Sequence, residues 1–188
     1  MSAETEEKIP DTEETRDDYH FLGREFLSWL TFHAEAKGGT FAPRSMGKED
    51  LEDFSVAIGG KVTLRTPAGM LTDVTLKGPS PATSPDIRYL MAGGHAVREI
   101  QLRFEQGDRV WVATLTSELD VKSVKLPALL EEEHDTRVDE RLALLDRLNT
   151  LVLVVFSEFL HLRRNAVRWS QVLREMREWL GEFLPVAS

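Results

Sequence analysis

Between Phe54 and Leu126 the chain runs through short alternating segments with almost no residue to spare between them. Phe54, Val56 and Ile58 recur at every second position, as do Val62 and Leu64, Val74 and Leu76, and Ile100, Leu102 and Phe104. A period of two sends successive side chains to opposite faces of an extended strand. This stretch therefore has to fold as a sheet with one face buried. Pro67-Ala68-Gly69 predicts the turn of one hairpin. Glu105-Gln106-Gly107-Asp108 predicts a second, joining a strand at 96–104 to one at 109–116. Between the hairpins, Pro85 to Met91 reads as a short helix stopped by Gly93-Gly94. Leu119 to Leu126 reads as a last strand, halted by Pro127.

Helical periodicity brackets this region. Leu22, Phe26, Trp29, Leu30 and His33 recur at spacings of three and four, which predicts a helix over 19–35. Asp17 or Asp18 can cap it, and Gly38-Gly39 ends it. Thr40 to Lys48 reads as a loop. Beyond Pro127, the acidic run Glu131-Glu132-Glu133 suits the positive end of a helix. The apolar set Leu142, Leu145, Leu148, Val152, Val155, Phe156, Phe159 and Leu160 is broad enough to be buried on more than one side. A second stripe follows at Ala166, Trp169, Leu173, Met176, Leu180 and Phe183. A break near Asn165 would fold the two stretches as an antiparallel pair. Without one they form a single rod, and the absence of Pro and Gly from Arg163 to Arg168 leaves both arrangements open. The predicted fold class is α+β: an antiparallel or mixed sheet with an N-terminal helix and one short inserted helix over 19–127, then a helical segment over 128–188.

The formal charge of the 188-residue chain is −9. Residues 1–18 hold eight carboxylates and two bases, so they supply −6 and the remainder only −3. Such a tail cannot bury enough apolar surface to offset its ordering entropy and is expected to be disordered. Its charge makes it a candidate contact for a protein partner and a competitor for any basic face on the domain. The chain has no cysteine, which excludes disulfides and thiolate metal sites. The N-terminus lacks the basic start and apolar core of a signal peptide, and the run Leu151 to Phe156 is too short to span a bilayer. These features predict a cytoplasmic protein that does not enter a membrane.

The chain offers little for catalysis. Gly59-Gly60-Lys61 leads into a strand and lacks the remaining positions of a phosphate loop. Nothing marks a nucleophile elbow, and Asp50 and Glu52 read as solvated loop carboxylates. His20, His33, His95, His134 and His161 show no close ligand spacing, so no metal or other cofactor is implied. The expectation is a non-enzymatic binding or assembly module. Its candidate anion contacts are Arg65, Lys77, Arg88, Arg98 and Arg103, which punctuate the strands. Alternation turns Arg103 away from Leu102 and Phe104, toward solvent. The competing reading is a solvated face on which Asp73 and Glu99 are ordinary partners. His161, Arg163, Arg164, Arg168, Arg174 and Arg177 form a second basic cluster, with Arg164 and Arg168 one helical turn apart. Here the competing reading pairs the cluster with Glu158, Glu175 and Glu178. Trp111, opposite in facing to Val110 and Val112, is the best candidate for an exposed aromatic. Trp169, Leu173, Met176, Leu180 and Phe183 form more apolar stripe than a terminal helix needs on its own chain, which makes them the candidate contact of a homodimer.

Several stretches, taken in order, resemble the recombination-associated RdgC family. They are Phe21-Leu22-Gly23-Arg24-Glu25-Phe26-Leu27-Ser28-Trp29-Leu30, Lys61-Val62-Thr63-Leu64-Arg65, Asp73-Val74-Thr75-Leu76-Lys77-Gly78, the helix-to-strand stretch Ile87 to Phe104, and Lys122-Ser123-Val124-Lys125-Leu126. The resemblance covers roughly residues 20 to 160 and is to the C-terminal half of those proteins. It implies a two-chain ring that surrounds duplex DNA without reading its sequence and limits access of the recombinase, in the setting of DNA recombination and the nucleoid. By the same resemblance, the strand-rich part would form the tip that meets the partner chain and the helices would form the base. Family chains are longer, and the lining of their ring is basic where this chain is acidic. A protein-interaction or scaffold module that keeps the fold without DNA contact is the alternative.

Overall fold

The computed structural model describes residues 13–43, 51–66, 73–78, 85–130 and 134–181. In chain order these form α1 (Glu13–Ala36), β1 (Thr40–Phe41), β2 (Phe54–Arg65), β3 (Asp73–Lys77), α2 (Pro85–Ala92), β4 (Ala96–Gln106), β5 (Arg109–Thr116), β6 (Val121–Lys125), α3 (His134–Arg164) and α4 (Ala166–Gly181). The fold is α+β. All pairings are antiparallel, in the order β1-β2-β4-β5-β6, and β3 lies beside the far end of β2.

Alternation does what the sequence requires of it. Val56, Val62 and Leu64 on β2, Ile100, Leu102 and Phe104 on β4, and Trp111, Ala113 and Leu115 on β5 are buried on one face. α1 lies across that face, and Phe26, Trp29 and Leu30 reach into it. The approach is close at Gly23, where a Cβ would sit 1.8 Å from the Ser117 carbonyl oxygen. The C-terminal helices complete the same core rather than building a second one. Leu144, Leu148, Leu151 and Phe159 of α3 and Trp169 and Trp179 of α4 belong to one cluster with the sheet residues.

Two irregularities shape the sheet. Ile58 pairs with Leu102 and Val62 with Ile100, so Gly59, Gly60 and Lys61 oppose Gln101 alone. The Gln101 side chain accepts a hydrogen bond from the Gly60 N–H at 2.9 Å. Two extra residues preserve parity, which keeps Val62 and Leu64 on the core side. The second shift lies on β4. Thr63 pairs with Glu99 and Leu64 with Val97, which leaves Arg98 without a partner in the ladder.

Several boundaries differ from expectation. α1 begins at Glu13, so residues 13–18 are helical rather than part of the tail. Residues 1–12 of the expected tail lie outside the described residues, as do Pro67-Ala68-Gly69, Glu131-Glu132-Glu133 and Phe183. Thr40 and Phe41, expected in a loop, pair with Ser55 and Phe54 as β1. Leu119 belongs to the turn before β6, with φ 66°. The helical segment breaks at Asn165. The Asn165 Oδ1 accepts the Arg168 N–H at 3.1 Å, and the Asn165 carbonyl accepts the Trp169 N–H at 2.8 Å. This is the geometry of a helix N-cap. It turns α4 back so that Trp169 meets Phe159 edge-on, with ring centroids 5.6 Å apart. Trp179 meets Phe32 of α1, also at 5.6 Å.

Candidate nucleic-acid interface

The face of the sheet opposite the helices is open to solvent, and register fixes what stands on it. Lys61 pairs with Lys77, Arg65 with Asp73, and Thr63 with both Thr75 and Glu99. Ala57 pairs with Arg103, Arg103 with Val112 and Val112 with Lys125, so these four form one row across four strands. Gln101, Thr114 and Lys122 form the next row. Seven cations therefore share this face: Lys61, Arg65, Lys77, Arg98, Arg103, Lys122 and Lys125. Only three carboxylates stand among them on the strands, Asp73, Glu99 and Glu105.

Those carboxylates are taken up by their neighbours. Asp73 accepts a hydrogen bond from Arg98 and lies 3.9 Å from Arg65 Nε. The Arg98–Asp73 bond raises the Arg98 pKa further, so Arg98 stays charged at any working pH. Lys61 donates to Glu99 at 3.3 Å, and Arg103 Nε lies 2.6 Å from Glu105 Oε1. Lys122 is 3.9 Å from Asp120. Among the described residues, Lys77 and Lys125 make no ion pair, and both are exposed. The face keeps a positive surplus after its internal pairs are counted.

Four of the five expected anion contacts, Arg65, Lys77, Arg98 and Arg103, are thus brought together. Arg88 is not. It sits on α2, where its guanidinium donates to Glu35 at 3.3 Å and lies over the Trp179 ring, 5.2 Å from the centroid. Burial pushes the Glu35 carboxyl above its ordinary range, against the opposing pull of Arg88. Arg88 holds α4 to α1 and α2. Sequence reasoning misses Lys61, Lys122 and Lys125 on this face. Lys61 is legible only as part of the discounted Gly59-Gly60-Lys61 motif. The two lysines of β6 need the β5 register to reveal their side.

Two further expectations are corrected, and the α4 stripe is placed. Trp111 is fully buried, and its indole N–H donates to the Leu144 carbonyl of α3 at 3.0 Å. It does oppose Val110 and Val112 in facing, but those valines line the solvent face and Trp111 the core. Arg164 and Arg168 do not act from one helix, because the Asn165 break separates them. Arg163 pairs with Glu25 at 2.6 Å and covers the Trp169 ring, while Glu175 takes Lys37 rather than an arginine of its own helix. Finally, the α4 stripe meets its own chain. Trp169 is buried, and Leu173, Met176 and Leu180 pack against the core. A shallow cleft of about 390 Å³ between the β4–β5 turn and α3 contains Arg109 and Arg147. Gln106 and Glu52 already engage there, Gln106 receiving the Arg147 Nε–H at 2.8 Å.

Among the described residues no three of His, Asp and Glu converge as a metal site, and no helix is long and apolar enough to cross a membrane. No family model, curated protein or solved structure matches the chain.

Proposed function

We propose that this protein is a non-enzymatic, RdgC-like module that binds duplex DNA without sequence preference and acts as a homodimer in DNA recombination or related chromosome processes. The observation that carries the reading is the open sheet face, where seven cations stand against three strand carboxylates with Glu118 and Asp120 at the edge, and where, among the described residues, Lys77 and Lys125 make no ion pair. A flat array of cations without a groove-filling element contacts phosphates and does not read base edges, which makes binding indifferent to sequence and steeply dependent on salt. The internal ion pairs do not block this. An exposed pair contributes about 0.2–1 kcal/mol, so a phosphate can displace the carboxylate at small cost. The rival reading, a protein-interaction module, draws on the exposed leucines of α3.

An electrophoretic shift with duplexes of unrelated sequence, at low and moderate salt, tests the proposal. Binding should be alike on every duplex. Replacing Arg98 and Arg103 by Ala, or Lys77 and Lys125 by Ala, should weaken it on all of them and flatten the salt slope by about one for each phosphate no longer neutralised. If the chain shifts no duplex at low salt, the DNA reading falls and the interaction module takes its place.

A further inference from the structure

α3 carries two apolar stripes: one is buried in the core, and the other meets Phe26 at its far end, is flanked by Leu126, Pro127 and Leu129 on its Arg141 side, and is otherwise open among the described residues. Leu144, Leu148, Leu151 and Val155 are buried against the core. On the opposite side Leu142 and Leu153 are each 59% exposed, Val138 47% and Leu145 37%. From Val138 the outward residues run Leu142, Leu145, Asn149, Val152 and Phe156, at spacings of four, three, four, three and four. That is the heptad spacing of a two-helix seam, with Leu142, Asn149 and Phe156 at one core position and Val138, Leu145 and Val152 at the other. Val152 and Phe156 are half-buried, so the open part of the seam spans 138 to 149 and is widened by Leu153.

We infer that a second copy of this chain covers the seam, its α3 parallel to the first. Charge selects both the occupant and its direction. Arg141 and Asp146 flank the seam on opposite sides and, among the described residues, neither makes an ion pair. Their spacing of five is the one that joins the flanks of two parallel helices, so each Arg141 meets the other copy's Asp146 and the pair forms twice. An antiparallel copy would run the Arg141 flank of one helix along the Arg141 flank of the other, with no Asp146 facing it. Asn149 sits at a central seam position, where it meets its own counterpart across the two-fold axis. A lone Asn at such a position fixes register and favours two strands at some expense of stability. The exposed stretch is short for a free-standing coiled coil, but α3 is already ordered by its buried face, so association orders little new helix. This names the surface of the homodimer proposed above. It rests on that homodimer and not on DNA contact, because the seam and the basic sheet face share no residue.

The chain has no cysteine, so Asn149→Cys supplies a single thiol for the whole molecule. Sedimentation at micromolar concentration, without DNA, should show a dimer, and oxidation of Asn149→Cys should trap it as a disulfide-linked pair. Leu142→Asp should weaken the dimer by at least about tenfold while leaving the circular dichroism of the chain unchanged, and its melting unchanged at concentrations where the parent is monomeric, since Leu142 contributes little to its own core. Arg141→Asp should weaken it too, and adding Asp146→Arg in the same chain should restore it. A monomer at every concentration overturns the inference. So does a dimer that neither cross-links through position 149 nor responds to Leu142→Asp, although the homodimer itself would then stand. The DNA reading fails or holds separately, in the shift assay.

Discussion

Trp111 shows how far one residue can be placed by its neighbours alone. β5 is apolar on both sides, with Val110 and Val112 half-exposed and Trp111 buried, so hydrophobicity gives the alternation without giving its sign. The sign comes from across the sheet, where Trp111 pairs with Phe104 and donates to Leu144. Arg98 poses the same difficulty for another reason. It occupies the extra position of a bulge, and nothing in Val97-Arg98-Glu99 announces the shift. Arg103, in a regular stretch, is placed correctly by parity. At this scale the titrating group to watch is Glu158 on α3, whose pKa is pushed up by burial, with no opposing partner among the described residues. A carboxyl raised in the folded state binds its proton more readily there than in the unfolded chain. Its contribution is therefore fully present below the ordinary value, about 4.3, and lost as pH rises from there through the raised one. Glu158→Gln cannot ionise. Its melting temperature relative to the parent should climb between pH 4 and 7 and then level off. A difference that stays flat across that range would mean the carboxyl is solvated.

The elements are legible where periodicity runs unbroken and obscure where a single side chain ends them. β2, β4, β5 and α2 fall close to the expected segments because each has a run of period and a Gly or Pro at its edge. β1 has only two residues, too few for any period, and exists because Phe41 and Phe54 stack at 5.3 Å. The end of α3 is undecidable from propensity, since a chain without Pro or Gly can continue as helix. The signal is Asn165, a residue type favoured at the N-cap, four residues before the buried Trp169. Removing its side chain isolates that contribution. Asn165→Ala should cost about 1 kcal/mol in a urea titration, and Asn165→Asp should retain most of it. Equal stability of all three would show that Trp169 packing on Phe159 fixes the break unaided.

For the molecule as a whole, the fold class follows from pattern, whereas the charged face requires the three-dimensional register. Lys125 and Arg103 are far apart in sequence and share a row only because β4, β5 and β6 align them. The net charge of −9 conceals this face. Part of the acidity lies in residues 1–12, where Glu4, Glu6, Glu7 and Asp11 against Lys8 give −3. The other acids expected in a free tail belong to α1, which reduces the charge available to compete from −6 to −3. Tethered anions compete with phosphates for the same cations, and salt weakens both contacts. A chain starting at Glu13 should therefore bind duplex DNA more tightly than the full chain at low salt, by roughly threefold, or about 0.7 kcal/mol. The gain should shrink as salt is raised, and it should disappear when Lys77 and Lys125 are replaced by Ala, because the cations left without an internal partner are the ones most open to a tethered acid. A shift assay with the two chain lengths at several salt concentrations measures this. Equal affinities throughout would show that the acidic residues before α1 do not compete for the sheet face, and a gain that persists in the Lys77 and Lys125 variant would place their contact elsewhere on the surface.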